Sequence, residues 1–281
     1  MLRTPFDQIK ESLLKHVPSE LIKHLPTKWE KVGEVLTIKL DCNLEKYKEK
    51  VCEKYAEMLN CKTVLNNLGG ISGAYRKPKV EIIYGSKNTE TIHIENGIRF
   101  KLDPAKIMFS SGNMHERLRM ANVSNIDETV VDLFAGIGYF TMPMAVYSKP
   151  KKIFACEINP ESYGFLCENI VLNNVTTIVE PLQGDNRNTS PKDVADRVIM
   201  GYLKDTYRFL PTAFNCLKNH IGIIHYHSVS PNESIPGRSL KFIQKAAKKY
   251  NRKSKLLAYK KIKSYAPGIN HVVLDVKIDE I

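Results

Sequence analysis

Two kinds of hydrophobic spacing divide the chain into a front part and a longer second part. In the front part, residues 6–25 and 43–60 carry apolar side chains at helical spacing, and residues 34–40 (EVLTIKL) alternate as a strand does. A turn-rich basic loop, a further strand in VEIIYG and a hairpin end around Thr91–Phe100 follow. The pattern predicts a small α+β domain over residues 1–97.

From about residue 105 the chain alternates apolar strands with helices. This alternation is typical of an α/β fold with a doubly wound, mostly parallel sheet, here over residues 98–281. The last strand is expected to be antiparallel, because the turn Ala266-Pro267-Gly268 makes a hairpin before it. The predicted strands are Thr129–Phe134, Lys152–Glu157, Ile178–Leu182, Asp196–Met200, Gly222–His227 and His271–Ile278, and the helices are His115–Ala121, Tyr139–Tyr147, Pro160–Asn173, Thr206–Leu217 and Leu240–Tyr250.

The run Val130–Phe140 (VVDLFAGIGYF) is a strand, a glycine turn and a helix start, which suits close approach of a nucleotide to the backbone. Glu157 ends the next strand, where a carboxylate can hold two ribose hydroxyls, and Asp185 and Asn186 follow the third strand, where they can read an adenine. The alternative is an ordinary strand-to-helix turn with polar loop residues. Their order and spacing together favour a nucleotide site with Gly136 in its turn.

The motif DxFxGxG favours S-adenosylmethionine over a dinucleotide, because the third glycine position of GxGxxG is Thr141. Asp132 is placed to meet the amino group of the methionine part. In these features residues 105–281 resemble class I S-adenosylmethionine-dependent transferases, and the resemblance implies a methyltransferase-like sheet with S-adenosylmethionine as co-substrate.

The segment before the first strand of this sheet, FSSGNMHERLR, offers further contacts to the cofactor. Arg117 can pair with the methionine carboxylate, and Ser110 or Ser111 can add a hydroxyl contact. The alternative is a linker and a capped helix in which Arg117 and Arg119 are solvated.

Five segments, FKLDPAKIMFSSGNMHER, VVDLFAGIGYFTMPMA, EINP, GDNR and DRVIMGY, resemble two groups of archaeal and eukaryotic tRNA enzymes that act on position 37. One group is the tRNA guanine-N1 methyltransferases. The other is the wybutosine-synthesis enzymes that transfer a 3-amino-3-carboxypropyl group from S-adenosylmethionine. The resemblance covers nearly the whole chain.

The end of the fourth strand separates the two groups. It reads Met200-Gly201-Tyr202, without the Asn and Pro that guanine methylases carry there and with the Met-Gly of the aminocarboxypropyl transferases. The resemblance therefore implies transfer of the aminocarboxypropyl group to 4-demethylwyosine at position 37 of phenylalanine tRNA, with release of 5′-methylthioadenosine. Guanine-N1 methylation is the alternative. No catalytic residue is assigned; His225 and His227 either face the crevice or lie in hydrogen bonds at the strand end.

The distribution of charge along the chain also predicts a binding partner. The chain has 281 residues and a formal net charge of +12, and residues 201–281 hold 15 basic and 5 acidic side chains. A basic surface with tyrosines at 250, 259 and 265 suits tRNA phosphates and bases. A membrane surface is the alternative, although the apolar face of the basic helix is needed by the sheet. The predicted tRNA surface includes Lys241, Lys245, Lys248, Lys249, Arg252 and Lys253, continues through Lys255, Lys260, Lys261 and Lys263, and is extended by Arg76, Lys77 and Lys79.

The remaining features argue for a reduced, metal-free protein. The six cysteines are scattered without a CxxC pair, so neither a zinc site nor a disulfide framework is expected. No apolar run approaches the roughly 20 residues of a membrane span, and MLRTPFDQIKE lacks the apolar core of a signal peptide. We expect a cytoplasmic monomer that binds no metal.

Overall fold

The computed structural model describes residues 3–73 and 75–281, so Met1 and Leu2 of the opening segment and Ala74 of the basic loop lie outside the described residues. The chain forms two compact units, Met1–Ser111 and Gly112–Ile281. The predicted boundary at 97/98 falls in the turn of a hairpin and stays a prediction.

The first unit places two helices on a four-stranded sheet of order β1-β2-β3-β4. The α1 helix begins after Thr4, whose hydroxyl accepts from the Asp7 N–H while the Asp7 carboxylate accepts from the Thr4 N–H. The predicted helix over 6–25 is in fact interrupted, because Pro18 lacks the N–H that a helix interior requires. The elements are α1 (Pro5–Leu13), β1 (Trp29–Val32), β2 (Val35–Ile38), α2 (Lys48–Leu59), β3 (Thr63–Ser72), β4 (Lys77–Gly85), β5 (Thr91–Glu95) and β6 (Ile98–Leu102).

The second unit is built on a seven-stranded sheet of order β12-β13-β11-β10-β7-β8-β9. Five adjacent strands, β9, β8, β7, β10 and β11, are parallel. The last strand, β13, is antiparallel to both of its neighbours, β11 and β12. This confirms the doubly wound sheet with its antiparallel last strand. The strands are β7 (Thr129–Asp132), β8 (Lys152–Glu157), β9 (Val179–Gln183), β10 (Arg197–Met200), β11 (Gly222–Pro231), β12 (Arg252–Ala266) and β13 (Ile269–Glu280).

Helices cover this sheet and close its core. The α8 helix packs Ile243, Ala246 and Ala247 onto the sheet beside Val272 and Leu274 of β13. None of the helices in the described part of the chain is long and apolar enough to cross a bilayer. The helices are α3 (Met114–Met120), α4 (Thr141–Pro143, continuing as a wider turn over Met144–Ser148), α5 (Pro160–Leu172), α6 (Asn186–Thr189), α7 (Leu210–Cys216) and α8 (Gly237–Lys249).

Candidate active site

The candidate site lies at the edge of the second unit's sheet where the parallel strands end. Asp132 is the last residue of β7, Glu157 the last of β8 and Met200 the last of β10. Register pairs join Asp132 to Ala155 on one side and to Ile199 on the other. Because parallel strands point the same way, their carboxyl ends meet at one edge, where open α/β sheets bind ligands. The edge brings together five of the seven predicted cofactor residues, namely Asp132, Gly136, Glu157, Asp185 and Asn186.

The glycine turn after β7 is tied to the end of β8. The Gly136 N–H donates to Glu157 Oε2 at 2.8 Å. Gly136 has a φ of +60°, and a Cβ there would lie 2.6 Å from Tyr139 Cε2, so a larger residue would both strain the backbone and displace the tyrosine ring. Glycine therefore lets the turn approach the Glu157 carboxylate directly.

Asp132 is a fully buried carboxyl group. Its Oδ1 accepts from the Phe134 N–H at 3.1 Å, and its Oδ2 accepts from the Thr141 hydroxyl at 2.8 Å. Burial raises the pKa of Asp132 to about 6, against these two hydrogen bonds, and the Glu157 charge adds to the rise. Within the described residues no basic side chain forms an ion pair with it, so the site is suited to a cationic ligand group.

Glu157 is held by the backbone on both of its oxygens. Besides the bond from Gly136, its Oε1 accepts from the Asn159 N–H at 2.7 Å. Burial raises the pKa of this carboxyl, and the backbone bonds oppose the rise. Each carboxylate oxygen can accept more than one hydrogen bond, so the orientation is fixed while acceptor capacity remains.

Asp185 and Asn186 open the short α6 helix. Asp185 accepts from the Arg187 N–H at 3.0 Å and from its Nε at 2.9 Å, and the side-chain bond to Arg187 lowers the pKa of Asp185. Asn186 is buried, and its Nδ2 donates to the Leu133 carbonyl at 2.7 Å. The Asn186 Oδ1 is buried with no hydrogen-bond partner among the described residues. The amide of Asn186 thus offers an acceptor at this edge.

The other two predicted cofactor residues are Ser110 and Arg117. Ser110 belongs to the first unit, whereas Arg117 lies on α3 of the second. The solvated alternative for Arg117 and Arg119 is wrong, because Arg117 is only 2% exposed and Arg119 is engaged in ion pairs.

Sequence reasoning missed a buried charge network that joins α3 to β11 and β13. Arg119 donates to both Glu116 oxygens, at 2.8 and 2.6 Å, and to Asp275 at 2.6 Å. Asp275 also accepts from His225 Nδ1 at 2.6 Å. The two partners of Asp275, Arg119 and His225, lie far from it in the sequence. An isolated aspartate in a strand therefore gives no sign that it joins them. The network fixes α3, and with it the segment that carries Arg117.

His225 is locked as a neutral ring. Its Nε2 lies 2.7 Å from an Arg197 nitrogen, which can only donate, so Nε2 must be the acceptor. Its Nδ1 therefore carries the proton that Asp275 accepts. Burial lowers the pKa of His225, in agreement with the neutral form. Both ring nitrogens are in use, so His225 is not free to take a proton from a substrate.

His227 is buried beside the end of β10. Its Nδ1 lies 3.0 Å from His271 Nε2, and its Nε2, without a hydrogen bond in the described residues, lies 3.7 Å from Glu116 Oε1. The Phe140 ring stacks on it, with centroids 5.0 Å apart. A Cβ on Gly201 would lie 3.1 Å from the same Phe140 ring. Phe140, to which the sequence analysis assigns no role of its own, thus fills the space between Gly201 and His227.

The residue after Gly201 joins a separate aromatic group. Tyr202 stacks on Phe134 with centroids 5.2 Å apart, and Phe209 meets both rings edge-on. The guanidinium of Arg187 lies 5.6 Å from the Phe209 centroid. The end of β10 is therefore lined by rings rather than by an amide side chain.

This strand order, with a glycine turn after the first strand and acidic residues ending the first and second, defines a class I S-adenosylmethionine-dependent transferase. More narrowly, the chain belongs to the TRM5/TYW2 methyltransferase family. Residues 91–257 match the TRM5/TYW2 methyltransferase domain, and residues 9–89 match the TYW2 N-terminal domain.

Relatives at high coverage carry both activities of the family. The chain is 46% identical over 271 residues to the tRNA(Phe) (4-demethylwyosine(37)-C(7)) aminocarboxypropyltransferase of Pyrococcus horikoshii, covering 96% of each chain. It is 37% identical to the tRNA (guanine(37)-N(1))-methyltransferase Trm5b of Pyrococcus abyssi, covering 94% of this chain and 78% of that one. The crystal structure of P. horikoshii TYW2 in complex with MeSAdo superposes with a TM-score of 0.88 at 43% identity, covering 98% of this chain and 100% of that one.

The residues present fit S-adenosylmethionine. Asp132 is a buried carboxyl suited to an ammonium group, and Glu157 is an oriented acceptor suited to a diol. The orphaned Asn186 Oδ1 is an acceptor suited to an amine. Among the described residues, no group of three or more His, Cys, Asp and Glu side chains is arranged to hold a metal ion.

Proposed function

We propose that this chain transfers the 3-amino-3-carboxypropyl group of S-adenosylmethionine to C7 of 4-demethylwyosine at position 37 of phenylalanine tRNA, releasing 5′-methylthioadenosine. The observation that carries the proposal is the end of β10. Gly201 brings no amide to orient a guanine nitrogen, and the Phe140 ring packs where a side chain at 201 would begin. The 46% identity to the P. horikoshii aminocarboxypropyltransferase along 96% of each chain supports the same activity.

S-adenosylmethionine supplies a sulfonium whose three attached carbons are all electrophilic. In the proposed arrangement, different polar groups of the chain bind different parts of S-adenosylmethionine. The methionine ammonium is assigned to Asp132, its carboxylate to Arg117, the ribose hydroxyls to Glu157 beside Gly136, and the adenine to Asp185 and Asn186. The contact of Ser110, which lies in the first unit, stays a prediction.

The protein's own contribution is positioning. A carbon–carbon bond forms between C7 of the base and Cγ of the methionine chain, the S–Cγ bond breaks, and the C7 proton leaves. Asp132 and Arg117 are both buried, so they can hold the two charged groups at Cα of that chain away from water. His225 is excluded as the proton acceptor, because both of its ring nitrogens are bonded within the protein.

The tRNA contact is assigned to the basic surface of the second unit. The four lysines of α8 are all exposed, as is Lys253 at the start of β12. Arg252 is half-buried, and its guanidinium donates to the Asn219 carbonyl at 2.9 Å. The surface comprises Lys241, Lys245, Lys248, Lys249, Arg252 and Lys253. We further propose that the protein acts as a cytoplasmic monomer, which sedimentation velocity of the free protein tests for the oligomeric state.

Product analysis tests the activity. Phenylalanine tRNA that carries 4-demethylwyosine is incubated with the enzyme and S-adenosylmethionine, and both the nucleosides and the sulfur product are identified by mass spectrometry. We expect 5′-methylthioadenosine and a base heavier by the aminocarboxypropyl group. A parallel incubation uses unmodified tRNA, and formation of S-adenosylhomocysteine together with N1-methylguanine there would replace this proposal by guanine methylation.

A further inference from the structure

The basic run Arg252–Lys263 is continuous in sequence but is divided by the fold between two opposite edges of the sheet. Arg252 pairs across the ladder with Glu280, and Ile278 of the same strand pairs with Gly222, the first residue of β11. The start of β12 therefore lies at the amino edge of the parallel strands. The active-site groups lie at the carboxyl edge.

The other end of β12 projects past the carboxyl edge. Met200, the last residue of β10, is in register with Tyr226, yet β11 continues for five more residues. Those residues pair with the start of β13, which pairs in turn with the end of β12. We call this part the three-strand extension; it comprises His227–Pro231, Ile269–Val273 and Lys260–Ala266.

The α8 helix runs back along the sheet. It begins after β11 has ended at the extension, and it ends just before β12 begins at the amino edge. Lys248 and Lys249, in its last turn, therefore lie at the amino edge. Lys253 and Lys260 are seven positions apart on one strand, which corresponds to roughly 20 Å. A nucleotide at the carboxyl edge would therefore lie nearer to the extension than to Lys248.

The two halves of β12 also differ in the charge of their neighbours. Arg252 and Lys253 face Glu280 and Asp279 across the ladder. Lys260 and Lys261 face Val273 and Val272 instead, so no cross-strand carboxylate offsets them. The acidic groups near the extension are Glu116 and Asp275, which both pair with Arg119, and the exposed Glu233 on the turn after β11.

The extension is close to the segment that carries Arg117. The Lys260 charge lowers the pKa of Glu116, the residue before Arg117, although burial raises that pKa overall. A Cβ built on Gly112 would lie 3.2 Å from Lys263 Cδ, so this lysine stem runs along the approach to α3. Tyr259 and Tyr265 bracket the lysines with 53% and 54% of their surfaces exposed. Exposed aromatic rings among cations suit an RNA strand with unstacked bases.

We propose that the three-strand extension, through Lys260, Lys261 and Tyr265 and together with the adjoining Tyr259, binds the anticodon-loop backbone beside the reacting nucleotide, while Lys248 and Lys249 contact more distant parts of the tRNA. The inference rests on the proposed function, because it takes an anticodon-loop nucleotide as the acceptor. It assigns the two ends of one basic run to two different regions of the RNA.

The test compares two double charge reversals, K260E/K261E and K248E/K249E, on two probes. The probes are full-length phenylalanine tRNA transcript and its isolated anticodon stem-loop. Two lost phosphate contacts correspond to a loss of about 15- to 30-fold in affinity at 0.15 M salt and to a salt dependence shallower by about 1.4 to 1.8 in log–log slope. We expect K260E/K261E to show this loss on both probes, and K248E/K249E to show it on the full-length tRNA alone.

Affinity for S-adenosylmethionine and thermal unfolding serve as folding controls for both variants. The neutral pair K260Q/K261Q removes the same two contacts without adding negative charge, so it should lose stem-loop affinity by about 15- to 30-fold, and it tests the proposal if the charge reversal does not fold. Equal losses of stem-loop affinity in K260E/K261E and K248E/K249E would overturn the proposal. Unchanged stem-loop affinity in both K260E/K261E and K260Q/K261Q would also overturn it. The readout is RNA binding, so a guanine-methylating enzyme would fail product analysis without altering the outcome here.

Discussion

Replacing Asp132 by asparagine is expected to stabilise the second unit and to impair the cofactor site at the same time. Asparagine keeps the size and both hydrogen bonds, since its Oδ1 can accept from the Phe134 N–H and its Nδ2 can donate to the Thr141 hydroxyl oxygen. What it removes is a buried negative charge that no basic side chain in the described residues pairs with. That charge is the feature assigned to the methionine ammonium.

The size of the effect follows from the pKa of Asp132. Burial raises it from 3.8 to about 6, and one pKa unit corresponds to about 1.4 kcal/mol, so ionised Asp132 costs about 3 kcal/mol above pH 7. Between these two values the folded protein holds a proton that the unfolded chain has released. The contribution to stability is therefore fully present below about pH 4 and is lost as the pH rises through 6. For a unit of this size, 3 kcal/mol corresponds to a rise in Tm of about 6 to 12 °C.

Thermal and urea unfolding at pH 8, 6 and 4.5 measure the difference between D132N and the parent, and calorimetry measures the affinity for S-adenosylmethionine. We expect a gain of up to about 3 kcal/mol at pH 8 that shrinks toward zero near pH 4, with cofactor affinity at least about tenfold lower. D185N is the matched control, because the pKa of Asp185 is lowered and its replacement should not stabilise at any pH. A D132N variant less stable than the parent at pH 8, or a gain independent of pH, would refute the reasoning.

Three further substitutions examine other parts of the site. E157Q replaces one acceptor of the Glu157 carboxylate by an amide donor beside the Gly136 N–H, and we expect calorimetry to show an S-adenosylmethionine affinity at least about tenfold lower with stem-loop binding retained; an unchanged affinity would exclude a role for the charge. G201A places a methyl group 3.1 Å from the Phe140 ring, so we expect a lower kcat for methylthioadenosine formation at nearly unchanged cofactor affinity, and an unaffected kcat would separate this contact from catalysis. H225F breaks a buried link between charged groups and should cost about 3 kcal/mol in urea unfolding, whereas a loss below about 1 kcal/mol would show that the link contributes little.

The α/β part of the fold could be predicted because its strands and helices each carry their own periodicity. A parallel strand that ends in an acidic residue and a glycine turn is a local pattern, and Asp132, Gly136 and Glu157 come together once the strands are parallel. The opening helix is shorter than its apolar spacing predicts, because that spacing continues through Pro18 while the helical backbone hydrogen bonds do not.

The parts of the site that escaped prediction depend on pairings between distant strands. The bond between His225 and Asp275 spans 50 residues, and the one between Arg119 and Asp275 spans 156. Arg119 and His225 are noticed in their own segments, but Asp275, the residue that joins them, does not stand out in its strand. The division of the basic run had the same cause: charge counted along a sequence does not show that a 15-residue strand reaches both edges of a sheet.

A methyltransferase fold can move a different group without a new catalytic residue if it holds the methionine chain differently, because all three carbons on the sulfonium are electrophilic. What such a fold needs is a firm hold on the charged end of that chain. In the proposed arrangement the buried network provides one side of this hold, since Arg119 ties α3 to β13 through Glu116 and Asp275 and so fixes the helix that bears Arg117. Asp132, bonded to the turn and to Thr141, provides the other. Under the proposed function, selection of the reacting carbon then depends on the side chains that bound the base. At the end of β10 these are aromatic rings, and the Phe140 ring lies only 3.1 Å from where a Cβ on Gly201 would be.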